Sequence, residues 1–193
     1  MATMTLAPDL ALTYEAYLAE PQVEGRYDII NGVRVFMAGA TWRHQRVAQN
    51  IGRVLERYER EGIGLTVSAP FDVLIRRFPK LQTRQPDVLF ISHRRLAQGG
   101  GIPETGPLEA VPELVVEVIS NSETQRILGD KLADYLEIGV DECWVVRPDA
   151  GTVEVLALSA DGARTVAVYG GAESVVSVAL PGLTAAVADV FAA

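Results

Sequence analysis

The chain has 193 residues, 49% of them hydrophobic and 22% charged, a composition that suits one globular core and excludes a disordered, collagen-like or disulfide-stapled chain. Seventeen basic residues against 25 acidic ones give a net charge of -8, which argues against a protein that coats nucleic acid with its whole surface. The single cysteine, Cys143, permits no internal disulfide and suits a reducing cytoplasm.

Residues 1–11 read as a flexible tail and 12–193 as a single domain. Thr13 caps a short helix over Tyr14 to Glu20, and Asn31-Gly32 then separates two apolar-rich runs, a strong hairpin signal because both turn residues accept positive φ. Residues 42–60 carry Val47, Ile51, Val54, Leu55 and Tyr58 on one helical face, with Thr41 as N-cap and Glu61-Gly62 as the stop. Two short strands follow, Gly64–Pro70 and Phe71–Arg77, and a third over Pro86–Ile91. Residues 97–107 form a Gly/Pro-rich loop. Residues 113–120 read as a strand buried on both faces, because the run lacks alternation. Ser122-Glu123-Thr124-Gln125 is a capping box opening a helix that runs to about Glu137 and closes at Gly139. Cys143–Pro148 is the next strand, and Thr152–Leu158, Arg164–Gly170 and Ser174–Leu180 follow as a C-terminal meander, then a short helix. The order describes a mixed α/β (α+β) sheet domain. The first twenty residues lack a basic start followed by an apolar run, and no stretch approaches a membrane span. A cytoplasmic protein with no membrane partner is therefore expected.

Four polar residues stand out. Glu117 lies inside Leu114-Val115-Val116-Glu117-Val118-Ile119, where a carboxylate costs several kcal/mol unless it is paired, protonated or bound to a cation. It is either an arginine partner near a strand end or a metal ligand or tuned acid. Asp87 likewise opens an apolar strand, and two such acids at neighbouring sheet positions are what Mg²⁺ needs, with waters and phosphate oxygens filling its other positions. Lys131 flanks the apolar helix face of Leu128, Leu132 and Leu136. It is one of only two lysines, and it either snorkels over a core rim or supplies a cation to phosphoryl chemistry. His44, in the first turn of the 42–60 helix, is a packing residue or a group that binds phosphate or moves a proton. His93 reads as surface and Cys143 as core. No phosphate-binding glycine loop, zinc-type cysteine pair or nucleophile elbow is present.

In order and spacing, Tyr27-Asp28-Ile29-Ile30-Asn31-Gly32, His44-Gln45-Arg46-Val47, Gln85-Pro86-Asp87-Val88, Val116-Glu117-Val118-Ile119-Ser120, Gly129-Asp130-Lys131 and Trp144-Val145-Val146 resemble the PD-(D/E)xK nuclease superfamily. More closely, they resemble its Uma-type restriction-endonuclease relatives, formerly a domain family of unknown function. The resemblance covers about residues 12–193. It implies a restriction-endonuclease-like fold, a central mixed β-sheet flanked by helices, and a DNA endonuclease dependent on Mg²⁺ or Mn²⁺, with a homodimer expected. Asp87 matches the motif aspartate and Glu117 the following acid, together the implied metal ligands. The motif's lysine position is Ile119 here, and Lys131 on the next helix matches the family's displaced lysine, which positions or deprotonates the attacking water. Gln85 would contact phosphate, while His44 and Asp28 would support the site. Members often carry acids where this chain has Val33 and Ile127, which leaves a second reading open, a catalytically degenerate relative that binds nucleic acid or protein. A metal-dependent hydrolase of small phosphate esters is a third.

The charge is unevenly spread. Between Val73 and Arg95 stand Arg76, Arg77, Lys80, Arg84, Arg94 and Arg95 against Asp87 alone, a balance of +5 that leaves -13 elsewhere. That segment is either a solvated strand-edge loop or a phosphate-binding surface, with Arg76, Arg77, Lys80 and Arg84 as its DNA contacts.

Overall fold

The computed structural model describes residues 11–21, 23–119 and 125–193. Ser122, Glu123 and Thr124 of the expected capping box and all of the expected tail except Ala11 lie outside the described residues. No described helix is long and apolar enough to cross a membrane.

Seventeen elements are described, in the order α1 (Tyr14–Ala19), β1 (Tyr27–Ile30), β2 (Val33–Phe36), α2 (Trp42–Arg60), β3 (Gly64–Ser68), β4 (Val73–Arg76), β5 (Gln82–Arg84), β6 (Val88–Ser92), α3 (His93–Gln98), β7 (Leu114–Val118), α4 (Gln125–Ile138), β8 (Glu142–Arg147), β9 (Thr152–Ser159), β10 (Gly162–Gly170), β11 (Ser174–Val176), β12 (Thr184–Ala186) and α5 (Val187–Val190). The caps are those the sequence proposes. Thr13 accepts from the Ala16 N–H and Thr41 from the His44 N–H, each at 3.2 Å. Asn31 and Gly32 both take positive φ in the β1–β2 turn.

A six-stranded sheet, ordered β10-β9-β8-β7-β6-β3, forms the centre. Its one parallel pair is β7 with β8, and α4 makes the crossover between them. All five residues of β7 are buried, as the unbroken apolar run requires. Alternation sorts the sheet's side chains onto two cores. Val88, Phe90, Val116, Val118 and Trp144 face Val47, Ile51, Leu55 and Tyr58 of α2. Leu89, Ile91, Val115, Cys143 and Val145 face Leu128 and Tyr135 of α4. Glu117, one residue out of phase with Val116 and Val118, therefore points to the α4 side.

A second sheet, β2-β1-β5-β4, carries the hairpin. Val73 and Ile75 of β4 join the α4-side core, which fixes this sheet beside α4 and over one end of the central sheet. Three elements differ from expectation. β5 has the polar sequence Gln82-Thr83-Arg84 and is wholly buried, so no apolar alternation announces it. Residues 93–98 form α3, capped by Ser92, whose hydroxyl accepts from the Arg95 N–H, while His93 is exposed as expected. The Ser174–Leu180 run does not extend the meander. Only Ser174–Val176 is strand, and it pairs with β12 in a two-stranded sheet. Residues 177–179 turn away because buried Glu142 captures them, accepting from the Ser177 hydroxyl and the Val178 and Ala179 N–H groups at 2.6 to 2.8 Å.

Candidate active site

The two sheets and the first turn of α2 enclose a cleft of about 1120 Å³, with α4 along one wall. Asp87 precedes β6, and its N–H donates to Val116 O at 3.0 Å. One step beyond the Val88–Val116 pair, this brings it beside Glu117 of β7. Its Oδ2 accepts the Val118 N–H at 2.6 Å. Its Oδ1 is buried and faces two cations or potential cations, the Arg26 guanidinium in close contact and His44 Nε2 at 3.3 Å. Neither contact has the geometry of a well-formed hydrogen bond, so that oxygen is held by charge alone and is a potential metal ligand. Burial alone would raise the Asp87 carboxyl. His44, Arg26 and the Val118 amide outweigh it and hold the group below the usual aspartate range.

Glu117 has the opposite balance. Burial pushes its carboxyl up to about 7, with Asp87 adding to the rise and Lys131 pulling against it. Its Oε2 accepts from Lys131 Nζ at 2.7 Å and its Oε1 from the Tyr135 hydroxyl at 2.5 Å. Lys131 and Tyr135 stand one turn apart on α4, so the helix presents both to one carboxylate. The Asp87 side chain, 2% exposed, lines the cleft, and that of Glu117, 1% exposed, lies outside the lining, between Asp87 and Lys131.

Asp28 and Arg84 lie next to this pair. Arg84 is sandwiched between two buried acids, its Nη1 donating to Asp28 Oδ2 at 2.8 Å and its Nε to Asp134 Oδ2 at 2.5 Å. Asp28 Oδ1 also takes the Gln85 N–H at 3.0 Å. The bridge ties the hairpin sheet to α4, three residues from Lys131.

Asp87, Glu117, Lys131, His44 and Asp28 thus converge. Gln85 does not: its amide is spent on Asp72 Oδ1 and the Tyr27 N–H, both at 3.2 Å, and it lies outside the cleft lining. The basic segment is also redistributed. Arg84 touches the cleft but is only 3% exposed and is spent on its ion pairs with Asp28 and Asp134. Arg76 lines the cleft but pairs with Glu137 at 2.9 Å. Arg77 lies outside the lining, pairs with Glu109 and stacks over Tyr14 at 4.4 Å. Lys80 is exposed, also outside the lining. The residues missed from sequence are Arg26, Tyr135 and Asp134. Tyr135, at helical spacing from Lys131 and fully buried, was the one that spacing signalled.

For a divalent cation the chemistry of the donor set is the test. No three His, Cys, Asp or Glu residues gather as a metal-holding group among the described residues, so a closed zinc-type site is not built. Two hard carboxylates, one with a buried oxygen held by charge alone, fit Mg²⁺ or Mn²⁺, which keep waters and phosphate oxygens in their other positions.

The profile of the family described as "Putative restriction endonuclease", Uma2, matches residues 13–188. No curated protein matches the chain. Among solved structures, the chain is similar to a protein described as "a putative nuclease belonging to DUF820" from Anabaena variabilis ATCC 29413. The TM-score is 0.72 at 18% identity, over 93% of this chain and 97% of that one, a likeness that shows the mixed α/β fold expected from the sequence. With the family profile spanning nearly the whole length, the chain belongs to the Uma2 restriction-endonuclease-like family.

Proposed function

We propose that the chain is a divalent-metal-dependent endodeoxyribonuclease that hydrolyses phosphodiester bonds in the cleft between the two sheets. The observation that carries this reading is the convergence of Asp87 and Glu117 with Lys131 on the Glu117 carboxylate. Asp87 and Glu117 would hold Mg²⁺ or Mn²⁺, which supplies Lewis-acid stabilisation of phosphoryl charge and a more acidic bound water. Lys131 brings a compact positive charge to the acidic pair, placed to orient the attacking water and to offset negative charge growing on the phosphate. Tyr135 and Val118 fix the two carboxylates by hydrogen bonds, so that neither has to be ordered as the strand binds. His44 stands on Asp87, where it can accept or return a proton. The partner is DNA, taken by a homodimer, whose support is the exposed Val33 and Val35 on edge strand β2. Incubating supercoiled plasmid and circular single-stranded DNA with Mg²⁺ or Mn²⁺ tests the assignment beside Asp87→Ala and Glu117→Ala. Cleavage abolished by each substitution is expected, and cleavage unaffected by both would refute it.

One observation favours a second reading. Ile127 places an apolar side chain on the cleft wall, at a position often acidic in the family, as in a nuclease fold reduced to binding nucleic acid or protein. Binding of DNA with no cleavage under any divalent cation would select it.

A further inference from the structure

Two arginines stand on buried acids of the site, and they are committed to different degrees. Arg84 is 3% exposed and forks between Asp28 and Asp134, so both ends of its guanidinium are tied. Arg26 enters from the irregular stretch before β1, lines the cleft and keeps 21% of its side chain exposed. Its Nη1 lies against Asp87 Oδ1, its one ion-pair partner among the described residues, and its Nη2 donates to Gln85 O at 2.8 Å. Its Nε is buried and makes no hydrogen bond among those residues. A buried donor left unused is an exception in a folded protein and points to a further acceptor.

Oδ1 is also the oxygen of Asp87 that a divalent cation needs, because Oδ2 is fixed by the Val118 N–H at 2.6 Å. A guanidinium and a metal ion cannot both hold that oxygen at full strength, since their like charges repel at contact distance. Burial opposes the Arg26 charge, yet Asp87, Glu117 and Asp28 outweigh it and hold the guanidinium above its usual range. Arg26 thus neutralises the acids that a metal would neutralise, and metal binding has to displace it. A guanidinium released in a part-buried cleft needs a new anion. A phosphate supplies one, because its oxygens accept two parallel N–H bonds, here from Nη and the unused Nε.

We propose that Arg26 is an exchangeable counter-ion, which competes with a divalent cation for Asp87 Oδ1 and turns to a phosphate of the bound nucleic acid when the cation takes that oxygen. Metal and phosphate then bind cooperatively through Arg26. This rests on the nuclease reading above and adds how the same site is loaded.

The test is calorimetric titration of Mn²⁺ into the full chain, alone and with thymidine monophosphate, a phosphate ligand with no diester to cleave. A protein-free titration subtracts the Mn²⁺ held by the nucleotide. In the wild type the nucleotide is expected to tighten Mn²⁺ on the order of tenfold. Arg26→Gln is expected to bind Mn²⁺ alone about tenfold more tightly than the wild type and to lose most of that coupling. Arg26→Lys keeps the charge without the fork and should fall between the two on both measures. It carries the comparison if Arg26→Gln does not fold. Mn²⁺ affinity unchanged or weakened in both variants overturns the proposal. Tighter Mn²⁺ with undiminished coupling also overturns it, because Arg26 would then merely repel the metal. Plasmid cleavage in Mg²⁺ is read separately. Cleavage that still needs Asp87, with no Arg26 effect on Mn²⁺, overturns the exchange and leaves the nuclease assignment standing. A wild type without any Mn²⁺ binding that Asp87→Ala removes refutes the metal site on which both rest.

Discussion

The Arg84 bridge gives the sharpest forecast for stability. Replacing Arg84 with Met keeps the volume and removes the charge shared by Asp28 and Asp134, whose side chains are 6% and 9% exposed. The loss leaves two uncompensated acids in the interior, and breaking a buried pair from one side costs about 3–5 kcal/mol. For a chain of this length each kcal/mol lowers Tm by about 2–4 °C, so the variant should melt about 6–20 °C below the wild type. Arg84→Lys should lose less, because an ammonium cannot fork to both carboxylates. Adding Asp28→Asn and Asp134→Asn to Arg84→Met removes the stranded charges and should recover more than half of the loss. Urea and thermal denaturation of the four proteins at pH 7 measure these differences. A cost under about 1 kcal/mol for Arg84→Met, or a triple variant as unstable as the single one, would refute the keystone role.

Metal binding needs Glu117 ionised, and burial pushes its carboxyl up to about 7. Mn²⁺ affinity should therefore rise roughly tenfold per pH unit below that point and level off above it, and calorimetric titrations from about pH 5.5 to 8.5 that stay flat would refute this. The sign for stability is the reverse, since the folded state keeps a proton that the unfolded chain loses at an ordinary glutamate value. Glu117 therefore makes the metal-free protein less stable as pH rises from about 4.5 to about 7. Tyr135→Phe removes the hydroxyl on Glu117 Oε1 and should cost about 1–3 kcal/mol. It should also move the midpoint of the pH-dependent Mn²⁺ affinity upward, and an unmoved midpoint would count against that hydrogen bond. The cleft is lined by six cations and five acids, so bound DNA would meet few free charges there. The slope of log affinity against log salt should be about -1 to -2, and a slope several times steeper would show a broad basic surface instead.

The two acids were legible because each breaks an apolar pattern. Glu117 interrupts a run with no other polar residue, and Asp87 opens a strand buried throughout. Lys131 was legible from helical spacing and rarity, although it is more deeply buried than a snorkelling rim lysine. Arg26 was not legible, because it sits in an irregular stretch before β1 and its partner lies 61 residues further on. Nothing local separates it from the other arginines. Gln85 was misread for a related reason. Two residues before Asp87 along a regular strand would place it on the same face, but Gln85 and Pro86 lie between β5 and β6, so the alternation does not carry across. β5 itself was hidden because its side chains are buried by pairing with other polar groups, which leaves no hydrophobic period to read.

The basic segment shows why a run of like charge in a sequence is weak information about a surface. Its balance of +5 is dispersed by partners that come from elsewhere in the chain. Arg76 meets Glu137, Arg77 meets Glu109, Arg84 meets Asp28 and Asp134, and Arg95 meets Glu113 and Asp141. The fold therefore spends these arginines on joining hairpin sheet, helices and loops. What remains of the segment at the surface are Lys80 and Arg94, exposed and outside the cleft lining, while inside the cleft Arg26 and Lys131 stand on the two carboxylates. Under the nuclease reading, DNA would be held at the acidic pair and its cations, and not by a field spread over the surface. A net charge of -8 is compatible with such a localised site, because the field that a bound strand meets is set by the groups lining the cleft and not by the total.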